Sequence, residues 1–109
     1  MPFEKILQEI LKLEGAKAVV FLDAQGESIF FCGDQDPERL KLVGAYQSIL
    51  LKLEMCKSRT VVSIYDSRTV LTHHLKDGYF LSVVLASGVP YSLIQFRLQG
   101  YYERIEREL

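Results

Sequence analysis

At 109 residues the chain is long enough to bury a core without disulfide or metal staples, and its 49% apolar and 25% charged residues are the balance of a folded domain. That composition speaks against disorder. A formal net charge of −1, with lysines and arginines scattered along the chain, argues against nucleic acid or an anionic membrane as the main partner, since both demand a concentrated positive field. The two cysteines, Cys32 and Cys56, read as reduced, packed thiols. From Glu4 onward the N-terminus alternates charged and apolar residues, unlike a signal peptide, and the longest apolar run, Ala18 to Leu22, falls far short of the ~20 residues a membrane helix needs. The expected compartment is the cytoplasm.

Pro2 suits a helical first turn, and Phe3, Ile6, Leu7, Ile10 and Leu11 recur at helical spacing until Gly15. Lys5 and Glu9 lie one turn apart on the wet side. From Lys17 the period changes: Ala18 to Leu22 is an apolar run without alternation, the pattern of a strand covered on both faces. Asp23 to Gly26 makes a turn, with Gly26 free to take positive φ, and Ser28 to Cys32 returns as the second strand of a hairpin.

Asp36-Pro37-Glu38 is a helix start: Asp36 caps, Pro37 pre-sets φ and Glu38 complements the dipole. The helix is expected to run to about Cys56. Three strands follow, Arg59 to Asp66, Arg68 to Lys76 and Tyr79 to Ala86, joined by a tight Asp66-Ser67 connection and a type I′ turn at Asp77-Gly78. The last strand is again apolar on both faces. After Ser87 to Pro90, a final helix carries Ile94, Leu98, Tyr101, Ile105 and Leu109 on its apolar stripe. Glu103 with Arg107 and Arg104 with Glu108 decorate its wet side. The whole chain, 1–109, reads as one domain with a mostly antiparallel sheet and helices on both faces.

The middle helix carries more apolar surface than one sheet face needs. Leu42, Val43, Ala45, Tyr46, Ile49, Leu50, Leu53 and Cys56 form one broad stripe. Leu40, Gly44, Leu51 and Met55 form a second, with Gln47 at its flank, and this surplus is expected to be a dimer seam. Gly44 costs about 0.5–1 kcal/mol in a helix but admits a close-lying partner backbone. Coverage by the chain's own elements is the alternative. His73 and His74 point to opposite faces of one strand and cannot share a metal, so one is expected to be half-buried and the other solvated. No phosphate loop, dinucleotide fingerprint or nucleophile elbow is present. Catalytic residues, metal and cofactor are therefore all expected to be absent.

The run Val19-Val20-Phe21-Leu22-Asp23-Ala24-Gln25-Gly26, the long helix after it, and Asp77-Gly78-Tyr79-Phe80-Leu81-Ser82-Val83-Val84-Leu85-Ala86 before the last helix resemble the roadblock or dynein light chain family over essentially the whole chain. The resemblance implies a three-layer α/β/α sandwich, helix-ββ-helix-βββ-helix, with a five-stranded sheet in order 2-1-5-4-3. It implies homo- or heterodimers whose sheets join across the third strand, here Arg59, Val61, Ser63 and Tyr65. It further implies a non-enzymatic scaffold or regulator for a small Ras-like GTPase, in some members a stimulator of its hydrolysis, or a subunit of a larger complex. A PAS- or GAF-like sensor is the rival reading, which would require polar groups around an interior cavity.

Overall fold

A computed structural model describes residues 2–25, 27–33 and 59–109. The middle helix, both of its stripes, Cys56 and Gly26 lie outside the described residues. In chain order the elements are α1 (Pro2–Leu11), β1 (Ala16–Leu22), β2 (Ser28–Gly33), β3 (Thr60–Ile64), β4 (Arg68–His74), β5 (Phe80–Ala86) and α2 (Tyr91–Glu108). The strands form one sheet in the order β2-β1-β5-β4-β3, every neighbouring pair antiparallel. This is the α/β fold and strand order that the sequence led one to expect.

The period-2 geometry of strands divides the core. Val19 and Phe21 of β1, Leu71 of β4, and Leu81, Val83 and Leu85 of β5 face α1 and α2. There they meet Ile6, Leu7 and Ile10 of α1, and Ile94, Leu98, Tyr102 and Ile105 of α2. On the opposite face Ala18, Val20, Leu22, Val70, Phe80 and Val84 form a second buried cluster. β1 and β5 are thus buried on both sides, which is why they carry no polar alternation. Each fully buried Leu or Phe contributes about 1.5–3 kcal/mol, so these two strands carry much of the stability. The polar groups of this second face satisfy each other: the Thr72 and Ser82 hydroxyls lie 2.7 Å apart.

Local chemistry sets the ends of the elements. Beyond α1, Gly15 at φ +90° turns the chain into β1, and Ala86 N–H donates to its C=O at 2.8 Å. Asp23 Oδ1 accepts the N–H groups of Gln25 and Glu27, the local bonding expected of a turn aspartate. Burial pushes the Cys32 thiol above its ordinary pKa, and it donates to Leu7 C=O at 3.8 Å, a packed thiol as anticipated.

Four expectations need correction. The Asp77-Gly78 turn has its positive φ values, 63° and 84°, but the ladder closes one residue outside it, through Leu75 N–H to Tyr79 C=O. Lys76 N–H leaves the ladder to reach the Glu106 carboxylate at 2.7 Å. On α2 it is Tyr102 that is buried, its ring stacked on His73, while Tyr101 packs against the core only partly covered. Arg104 pairs across to Glu9 of α1 at 2.6 Å, so Glu9 is only partly exposed and its partner lies on another helix. His74 is not solvated: its ring stacks on Phe80 at 4.8 Å.

Candidate docking edge

β3 ends the sheet, and its register against β4 is regular from Thr60↔His73 to Ile64↔Thr69. His74 N–H bonds to Arg59 C=O and Tyr65 N–H to Arg68 C=O. Odd-numbered residues of the strand therefore turn their backbone groups toward β4, and even-numbered ones, Val62 and Ile64 among them, turn theirs outward. The side chains obey the same parity: Val61 packs on the second cluster and Val62 on the α-helical side. Ile64, at the end of the strand, is 68% exposed and Tyr65 beside it 42%.

Of the residues that the sequence nominated, Arg59, Val61, Ser63 and Tyr65 are brought together along this strand. Leu40, Gly44, Gln47, Leu51 and Met55 lie outside the described residues. Ile64 was missed. Its period-2 position marked it as a face residue, but its exposure at the end of the strand is a matter of tertiary packing with no local signal.

A clasp holds the start of β3. Arg59 Nε donates to His74 C=O at 3.2 Å, and its guanidinium lies 3.7 Å from Glu106 Oε2, the oxygen that accepts Lys76 N–H. Beneath it the Thr60 hydroxyl and His73 Nδ1 lie 2.7 Å apart, and the His73 ring lies flat on Tyr102 at 3.8 Å. Burial, then the Arg59 cation, and also His74, push the His73 pKa down to about 4, with Glu106 opposing. His73 is therefore a neutral imidazole at physiological pH. Arg59, Lys76 and Arg107 with Glu103 and Glu106 line a concavity of about 590 Å³ here. Its cations and carboxylates largely compensate one another, which suits a strut between β3 and α2 better than a seat for a charged ligand.

Set against solved structures, the chain aligns end to end with MglC from Myxococcus xanthus, at a TM-score of 0.79, 16% identity and 100% of both chains. A Roadblock/LC7 domain from Streptomyces avermitilis gives 0.79 at 15% identity over 95% of this chain and 94% of that one. The gliding protein MglB from Thermus thermophilus gives 0.75 at 16% identity over 95% and 85%, and MglB in a tetrameric arrangement aligns equally well. No family model and no curated protein matches the sequence. The fold is the roadblock fold. No described helix is long and apolar enough to cross a membrane.

Proposed function

We propose that the chain is a single-domain, non-catalytic docking module that forms a homodimer through the β3 edge and presents the joined surface to a small Ras-like GTPase or a larger assembly. The observation that carries this is the edge itself. β3 is regular and uncapped by proline or lysine, and it ends in exposed Ile64 and Tyr65. Antiparallel self-pairing about a two-fold axis at Val62 sets Val62 against its own copy. It brings Arg59 of one copy beside Tyr65 of the other, and Ile64 beside Thr60. That register keeps outward-turned backbone groups facing one another. The second stripe of the middle helix, Leu40, Gly44, Gln47, Leu51 and Met55, would extend the same seam. The sequence resemblance to the roadblock family, together with the fold shared with MglB and MglC, supports a GTPase as the docked partner.

Ile64→Lys tests the dimer, because the side chain is exposed and a lysine on an edge opposes pairing. Light scattering is expected to give a smaller mass for the variant than for the wild type, with circular dichroism showing the fold intact. A variant of wild-type mass would misplace the seam. GTP-loaded Ras-like GTPases are expected to bind the wild type and not the variant. Failure of every such GTPase to bind or to change its hydrolysis rate would remove that part of the reading.

A further inference from the structure

The outer surface of α2 carries apolar side chains that the fold does not use. Phe96 is 78% and Leu93 55% exposed, whereas Ile94 beside Leu93 is 3%. Next to them runs a groove of about 390 Å³, floored by Val89, Leu93 and Ile94 and reached by two charges from different elements: Glu14 of the α1–β1 turn and Arg97 of α2. Its wall is stiff, because Gly15 lies so close to Val89 that a Cβ there would come within 2.7 Å of a Val89 methyl. Among the described residues neither Glu14 nor Arg97 takes part in an ion pair.

We propose that this groove is a second self-association surface, on which another copy of the chain docks about a two-fold axis. A two-fold contact sets one patch against itself, so it is satisfied only by a patch that complements itself. An apolar centre with one acid and one base beside it meets that condition. Glu14 of each copy faces Arg97 of the other, twice over, while Leu93 and Phe96 fill the middle. A heterologous partner would have to supply the opposite charges independently; a second copy already has them. One turn beyond Phe96, Gly100 leaves open space where a Cβ would stand, so the facing helix can lie close. No described residue of β3 lines the groove, and a variant here reads separately from Ile64→Lys.

The experiment is sedimentation velocity of the full chain over a concentration series. Glu14→Arg and Arg97→Glu each set like charges together and are expected to weaken association at this surface by about tenfold or more. Both side chains are exposed, so circular dichroism and the melting temperature should match the wild type. Mixing the two variants is expected to restore association, because each supplies the charge that the other now needs. Wild-type sedimentation by both single variants, or no recovery on mixing, overturns the proposal. Ile64→Lys separates the two surfaces. Loss of association by Ile64→Lys alone leaves β3 and rejects the groove; loss by the charge variants alone does the reverse. Phe96→Glu, expected to weaken association like the single charge variants, checks the apolar centre.

Discussion

β2 and β3 are both outer strands of the sheet, both apolar and similar in length, yet the fold treats them oppositely. β2 is irregular. Its register against β1 passes from Phe21↔Phe30 to Leu22↔Ser28, leaving Ile29 as an extra residue, a bulge that twists the edge and disrupts any further ladder. Its far end is nailed down at Gly33, where a Cβ would come within 2.4 Å of Lys17 C=O. β3 has neither device. Its register runs unbroken, and its anchorage comes from the Arg59–Glu106 clasp behind it rather than from distortion of the edge. The two edges differ in register rather than in composition.

The largest expected effect breaks the β2 side of this contrast. Gly33→Ala puts a methyl into backbone at φ +124°, and should cost about 2–4 kcal/mol in urea unfolding. A cost below about 0.5 kcal/mol would mean that β2 is not pinned there. Next comes the clasp. Glu106→Ala removes the acceptor of Lys76 N–H and the partner of Arg59, and about 1–2 kcal/mol should be lost, with faster amide exchange confined to β3 and the Lys76 turn. Uniform acceleration across the sheet would show that the clasp does not act locally.

The third prediction follows from His73. Its native pKa of about 4 lies below the ordinary 6.5, so between those values the unfolded chain takes up a proton that the native one refuses. Stability from this group is complete above about pH 6.5 and declines as the pH falls toward 4, by roughly 1–2 kcal/mol after allowance for solvent screening. In His73→Phe, which keeps a ring for Tyr102, the melting temperature should fall less steeply between about pH 7 and pH 4.5 than in the wild type. Parallel profiles would exclude His73 as a source of acid sensitivity. The smallest effect is the sharpest control: Ile29→Lys on β2 should leave both stability, within about 0.5 kcal/mol, and oligomeric mass unchanged, where Ile64→Lys is expected to lower that mass. Dissociation by Ile29→Lys would shift the docking edge to the wrong side of the sheet.

Much of this architecture could be read from periodicity. The unalternating runs in β1 and β5 required burial on both faces, and the apolar spacing of α1 and α2 required helices lying on one of them. Long-range choices could not be read. Parity placed His73 and His74 on opposite faces, but not which face held Tyr102. Helical spacing placed Tyr101 on the core side, where it is partly buried, but gave no sign that Tyr102 beside it would be buried against the His73 ring. Glu106 reaches the backbone N–H of Lys76, far away in sequence, a contact with no local signature. At the candidate docking edge the strand was legible and the sequence nominated four residues along it; Ile64 it did not nominate, because its exposure is set by tertiary packing that leaves no local signal.

The chain has six tyrosines and no tryptophan, which gives the His73–Tyr102 stack an optical consequence. Burial raises the Tyr102 phenol well above its ordinary pKa, so on alkaline titration this ring should hold its proton beyond the ordinary phenol range while the fold stays intact. Its absorbance change would then arrive with global unfolding, making one native side chain a built-in reporter of whether the last helix is still seated on the sheet.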